Sequence, residues 1–255
     1  MAFNWAYNTR DFEFILQEWL PTERIFAYER FREYYSKDDI KMIIEPVFKI
    51  AKDMIAPAND DGEAQPARFE NGKVILPESF AKIFHYIQEN GFGSSNIDKE
   101  AEGVLPLVVY AAIQEMLASA NPGWAPYIAL TTGAAGLIQT FGDQQLKEMF
   151  LPKMFSGEWS GTMCLTEPTA GSDVGDILTK AYPTDNPRVF KIKGSKQFIT
   201  GVEHSMCNNI VNMVLARVEG ARPGTKGISL FVVPKYWVNE DGSLEDNDIQ
   251  ALGIE

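Results

Sequence analysis

The segment Thr166-Glu167-Pro168-Thr169-Ala170-Gly171-Ser172-Asp173 holds the residue types best suited to binding a ligand. It leaves a predicted strand and turns through small residues. Its backbone amides can therefore come close to a phosphate, and Ser172 adds a hydroxyl donor. The spacing is neither GxxxxGK[ST] nor GxGxxG, and no helix follows closely, so the P-loop and dinucleotide fingerprints do not apply. The same residues also make an ordinary Gly-Ser turn. On residue chemistry alone, that turn is the more economical reading. Glu167 follows the strand directly, where a carboxylate either takes part in proton transfer or, more often, caps a turn.

Other candidates are weaker. Asp60/Asp61 and Glu100/Glu102 sit in polar stretches and read as solvated charge. Ser205 adjoins His204, but neighbours in sequence do not build a nucleophile–base pair, and no GxSxG elbow is present. Trp159 and Phe198 are flat enough to stack on a planar ligand, although core packing is the commoner fate of such residues. With two histidines, His85 and His204, and no CxxC or HExxH spacing, no metal site is expected. Cys164 and Cys207 lie in or beside apolar segments and read as buried, reduced thiols of a cytosolic protein.

The elements that must position these residues change character near residue 158. Before it the pattern is helical. Arg10–Tyr35 carries Phe12, Ile15, Leu16, Trp19 and Leu20 at helical spacing. Ser36 is an expected N-cap, with Asp39 three residues on, for a helix to Ile55 that Pro46 should kink or divide. The polar run 59–72 reads as an exposed loop. Further helices are expected over Pro77–Gln88, Val104–Ala120, Trp124–Phe141 and Gln144–Phe155, with a loop over Gly91–Gly103. After residue 158 the period is two, with strands expected at Thr162–Thr166, Leu178–Tyr182, Val189–Lys193, Gln197–Thr200, Asn209–Val218 and Gly227–Pro234. A polar loop is expected over Asn239–Asp248. Short strands at this spacing suggest a barrel or sandwich. The expected fold class is thus α+β multidomain, an all-helical domain followed by a β-barrel or sandwich domain.

Composition sets outer bounds. The 255 residues include 23 Lys/Arg against 35 Asp/Glu, a net charge of −12. That argues against a nucleic-acid partner, whose phosphates demand a basic surface. The N-terminus lacks a signal-peptide pattern, and no run of 18 apolar residues occurs, so no membrane span is expected. The expected compartment is the cytoplasm.

Met163–Asp173 resembles the signature of the acyl-CoA dehydrogenase family, and Lys193–Gly201 is similar to the family's G-x-K-x-[WF]-I-[TS] run. Glu115, the Asn121-Pro122 break and Phe141-Gly142-Asp143…Leu151-Pro152 resemble its N-terminal helical domain. Gly224–Pro234 and the leading RDFEF helix resemble a longer bacterial subgroup, similar to methylthio-propanoyl-CoA dehydrogenases. The resemblance implies a helical extension over 1–35, the family's N-terminal helical domain over 36–158, and its middle β domain, incomplete, over 159–255.

It also implies FAD-dependent oxidation of an acyl-CoA thioester to the trans-2-enoyl-CoA, with electrons passed to an electron-transferring flavoprotein by a homo-oligomeric enzyme. The backbone of Met163 and Leu165 would lie along the flavin, and Thr166 would bond near N5. Ser172, beside Gly171, would meet the pyrophosphate. Phe198, Ile199 and Thr200 would wall the isoalloxazine, and Val104–Ala120 would line the acyl pocket. Met163 stands where an aromatic is common, Phe198 where Trp is commoner, and Gly91–Gly103 lacks the usual Gly-Gly turn. The family's C-terminal four-helix domain, which carries the catalytic glutamate, is absent. No residue here is therefore assigned as the α-proton base, and the chain alone is expected to be inactive and to hold FAD weakly or not at all. The alternative is a natural half-protein, a non-catalytic nucleotide- or partner-binding subunit.

Overall fold

Ser36 and Asp39 set the start of the first long helix, but with the roles reversed from the expected cap. The computed structural model describes residues 5–92, 98 and 101–254. In it helix α4 begins at Asp39, whose carboxylate accepts both the backbone N–H and the hydroxyl of Ser36 at 2.7 Å. Ahead of it lie three short helices, α1 (Thr9–Glu13), α2 (Glu23–Phe26) and α3 (Glu29–Arg32), with a π-helical turn over Phe14–Trp19.

Helix α4 (Asp39–Ile50) buries Ile40, Ile44, Val47 and Ile50 and continues unbroken past Pro46. Pro46 lies on the exposed face, where water can satisfy the carbonyl its missing N–H leaves free. The winding changes only later, in a π-helical turn over Ala51–Ile55.

The expected loop 59–72 is instead a helix, α5 (Ala58–Ala64), and a hairpin of β1 (Arg68–Glu70) and β2 (Lys73–Ile75). Asn71 and Gly72 both take positive φ, 53° and 79°, the geometry that matches a two-residue turn to strand twist. Then come α6 (Glu78–Glu89), α7 (Leu107–Ala120), α8 (Pro126–Phe141) and α9 (Gln144–Phe155). Helix α7 starts three residues later than expected because Pro106, extended at its N-cap position, precedes it. Asp143 caps α9 by accepting from the Leu146 N–H at 3.0 Å. Most of the expected loop 91–103 lies outside the described residues.

Two apolar cores result. The first joins Val47, Ile55, Phe84, Ile113, Leu117, Trp124 and Ile128. The second joins Ala134, Ala135, Ile138 and Met154 to Trp159, Val211 and Met213 of the sheet. Helix α8 contributes to both, so it packs against the helices and the strands.

The sheet domain curls around one long strand, β6 (Asn209–Val218). Strand β3 (Trp159–Cys164) pairs parallel with its first half, Trp159 opposite Asn209 through Cys164 opposite Val214. Strand β4 (Lys180–Pro183) pairs parallel with its last two residues, Arg217 and Val218. Strand β5 (Phe190–Lys193) adds antiparallel to β4, and β7 (Ile228–Pro234) runs antiparallel to β6. Because β7 pairs with the same β6 residues as β3, the two occupy opposite edges. One edge of β6 therefore carries β3 and then β4, and the chain between them, residues 165–179, leaves the sheet at the gap.

Two strand assignments change. Gln197–Thr200 forms no strand, because Phe198 sits at φ 57° and breaks the extended path. Within the expected loop 239–248, Leu244–Asp246 forms β9, paired with β8 (Tyr236–Val238). Among the described residues, no helix is long and apolar enough to cross a membrane.

Candidate functional site

The gap between β3 and β4 brings together the two segments singled out from sequence. Residues 165–179 fold back immediately: Glu167 and Ala170 exchange backbone hydrogen bonds at 2.9 and 3.1 Å. Beyond that turn Gly171 and Ser172 are exposed. A Cβ on Gly171 would meet nothing within 4 Å. Asp173 then accepts from the Gly175 N–H at 2.9 Å, and Arg217 of β6 donates to the Gly175 carbonyl at 2.7 Å. Both ends of the loop are thus fastened while its small-residue turn stays open.

Residues 194–208 form the second segment, a long connection from β5 to β6. Loops of this length in a folded domain are commonly functional. This one is tied at many points. The Gln197 N–H donates to the Thr166 carbonyl at 2.9 Å, and Thr162 Oγ1 donates to the Thr200 carbonyl at 2.6 Å. Lys235 pairs with Glu203 at 2.7 Å. His204 Nε2 meets Ser160 Oγ at 3.1 Å. Between these ties Phe198 projects outward, 66% exposed, in the left-handed region. A bulky side chain rarely adopts that backbone conformation, and such outliers concentrate at ligand sites.

The two aromatic candidates therefore part ways. Trp159 is buried, packed on Phe150 with ring centroids 6.0 Å apart. Phe198 is free to receive a planar ligand.

Glu167 resolves as a cap. Its carboxylate accepts from the N–H groups of Leu178 at 2.6 Å and Thr179 at 3.1 Å, and from Lys196 Nζ at 2.8 Å. Burial alone would raise its pKa; the bonds from Lys196, Thr179 and Leu178 outweigh it and hold the carboxyl below its ordinary value. Held this way, the carboxylate fastens the turn between β3 and β4.

Of the residues expected at the site, Leu165 and Thr166 are half-buried at the end of β3, and Thr166 shares a hydrogen bond with the Phe198 segment. Ile199 and Thr200 continue the tied loop. The Met163 side chain packs on the second core, so only its backbone is available to a ligand. No hydrogen bond joins Gly171 or Ser172 to Phe198 among the described residues. Ser205 is exposed, and the partner of His204 is Ser160. Both cysteines are free; burial pushes Cys164 up to about 12 and raises Cys207. Asp60 and Asp61 lie in the first turn of α5, and Glu100 is outside the described residues. Among the described residues no group of acidic, His or Cys side chains is placed to hold a metal.

Comparison with known proteins decides the family. Residues 37–158 match the acyl-CoA dehydrogenase N-terminal domain and residues 162–249 the acyl-CoA dehydrogenase middle domain. The chain is 44% identical to a butyryl-CoA dehydrogenase of Syntrophomonas wolfei over 99% of its own length and 42% of that protein's. The chain belongs to the acyl-CoA dehydrogenase family.

A second member of the family, the 3-methylmercaptopropionyl-CoA dehydrogenase of Ruegeria pomeroyi, is 37% identical over 94% of this chain and 40% of its own. The acyl-CoA dehydrogenase of Bacillus anthracis, solved complexed with FAD, superimposes with a TM-score of 0.63 at 24% identity, covering 81% of this chain and 32% of that one. That likeness bears on the fold. The chain spans about two-fifths of the length of the curated relatives it matches.

Sequence reasoning missed Lys196, Arg217, Glu203 and Lys235 as the residues that fasten these two loops. Their roles depend on partners many residues away. Lys196 alone carried a local signal, as the lysine of the G-x-K-like run.

Proposed function

We propose that this chain supplies the flavin wall and phosphate turn of an FAD-dependent acyl-CoA dehydrogenase. The observation that carries this reading is Phe198, exposed and left-handed on a loop tied to the end of β3 beside Thr166. The residues present fit the cofactor. Gly171 has open space around it, and the hydroxyls of Thr166 and Ser172 have no hydrogen-bond partner among the described residues, so donors are free to face a ligand.

In this reading FAD supplies the hydride acceptor. Phe198 would pack against the ring, and Ile199 and Thr200 would extend that wall and exclude water. Thr166 would donate near N5, and the backbone of Met163 and Leu165 would run along the ring edge. Gly171 and Ser172 approach the pyrophosphate with backbone and hydroxyl donors. The acyl-CoA binds against α7, and the product is the trans-2-enoyl-CoA. Glu167 acts structurally, and no residue of this chain serves as the α-proton base. Electrons pass to an electron-transferring flavoprotein from a cytoplasmic homo-oligomer. The extension is 1–35, the helical domain 36–158 and the β domain 159–255.

Equilibrium titration of the chain into FAD, followed by flavin fluorescence, tests this reading. Weak but saturable quenching, reached only at high chain concentration, is the expected result. Fluorescence unchanged to the highest chain concentration would overturn it.

A further inference from the structure

Lys196 Nζ makes two contacts, 2.8 Å to Glu167 Oε1 and 3.0 Å to the Leu165 carbonyl. The pair is almost removed from solvent, with side-chain exposures of 12% for Lys196 and 3% for Glu167. Glu167 in turn caps the N–H groups of Leu178 and Thr179, immediately before β4. The chain entering the loop presses on the same place: a Cβ on Gly194 would lie 2.7 Å from Thr179 Cβ. One ion pair therefore joins three segments, the end of β3, the start of β4 and the base of the 194–208 loop.

The consequence falls on Phe198. On one side Lys196 and Gln197 are fastened to residues 165–167, and on the other the Thr200 carbonyl is fastened to Thr162. Only Phe198 and Ile199 lie between. Left-handed backbone is unfavourable for a residue with a Cβ, so a loose loop would relax out of it. The ties leave it no room to do so.

Resting on the flavin reading above, we propose that Lys196 and Glu167 are positioning residues that hold Phe198 left-handed and outward-facing before the cofactor arrives. The site is preorganised, so FAD binding does not bear the cost of ordering the loop.

The test compares the unmodified chain with Lys196→Met, Lys196→Gln and Lys196→Arg by two readouts. The first, needing no cofactor, is hydrogen exchange of the Gln197 amide, with amides of α8 as internal reference. The second is FAD affinity by flavin fluorescence. Loss of a buried charge-assisted bond predicts about tenfold faster Gln197 exchange and about tenfold weaker FAD binding in Lys196→Met, with α8 unchanged and Lys196→Arg restoring both. Should Lys196→Met also lose protection in α8, Lys196→Gln, which keeps a donor without the charge, decides by the same readouts. Gln197 exchange unchanged in a folded variant overturns the proposal. Faster exchange with FAD affinity unchanged overturns it equally. An unmodified chain that does not respond to FAD overturns the flavin reading and the pair's role toward the cofactor, while the exchange readout still reports whether the pair holds the loop.

Discussion

His204 Nε2 lies 3.1 Å from Ser160 Oγ, while its Nδ1 accepts the Met206 N–H at 3.2 Å. With Nδ1 occupied as an acceptor, the neutral ring carries its proton on Nε2 and donates to Ser160, an assignment that follows from the hydrogen-bond pattern. That polarity is the reverse of a base activating a serine. The pair is a fastening between β3 and the 194–208 loop. Burial, and then the nearby Lys235 charge, hold the His204 pKa at about 4.

The sign of the pH effect follows from that value. The folded pKa lies below the ordinary 6.5, so His204 contributes stability above pH 6.5 that is lost progressively as pH falls toward 4. The gap is worth about 3 kcal/mol. Urea denaturation at pH 7.5 and 4.5 should show this loss, and His204→Gln should be less stable at pH 7.5 but lose less on acidification. An equal loss in both proteins would refute the assignment.

Phe198 separates backbone strain from ligand contact. Phe198→Ala keeps the left-handed strain and removes the ring; Phe198→Gly removes both. Phe198→Gly should be the more stable of the two by about 1 kcal/mol. Both should weaken FAD binding, about 2- to 10-fold for the stacking contact alone. Thermal melts and flavin titrations of the two variants check this, and Phe198→Ala melting above Phe198→Gly would contradict the strain.

At Gly161 strand β3 packs closely against helix α8. A Cβ there would lie 2.6 Å from Ala134 Cβ and 2.9 Å from Met154 Cε. Gly161→Ala should therefore cost about 1–3 kcal/mol by overpacking, measured by denaturant unfolding. Because Thr162 anchors the Phe198 loop from the next position, the same variant should weaken FAD binding.

Gly171 predicts the opposite combination. With nothing near its Cβ position, Gly171→Val should melt within about 1 °C of the unmodified chain, since surface substitutions of this kind are nearly neutral. FAD affinity should nevertheless fall, because the added methyls block the approach of a phosphate. A variant that binds FAD normally would remove Gly171 from the site.

The helices were legible because their signals are local. The Asp143 start, the stripe through Ile40, Ile44 and Val47, and the Gly91 stop each follow from a few adjacent residues, whereas Pro106, taken inside a helix from Val104, is a local start signal the reading passed over. The Asn71-Gly72 turn was equally local, yet the polar composition around it outweighs the dipeptide when the stretch is read as loop. Gln197-Phe198-Ile199-Thr200 misleads for a different reason. Its residues favour a strand, and only ties to Thr166 and Thr162 force Phe198 left-handed, a tertiary override of local preference. The Glu167–Lys196 pair spans 29 positions, a separation that no periodicity reports. Motif resemblance found the candidate cofactor residues; the residues that fasten them needed the register of β3 and β4 on β6.

The most direct measurement is the visible difference spectrum of FAD with the unmodified chain, with Phe198→Ala and with Ser205→Ala, whose parent residue is exposed on the same loop seven residues beyond Phe198. The account predicts flavin bands shifted from free FAD by the unmodified chain and by Ser205→Ala, with the shift lost in Phe198→Ala. Bands that match free FAD throughout, or a shift that survives Phe198→Ala unaltered, would contradict it.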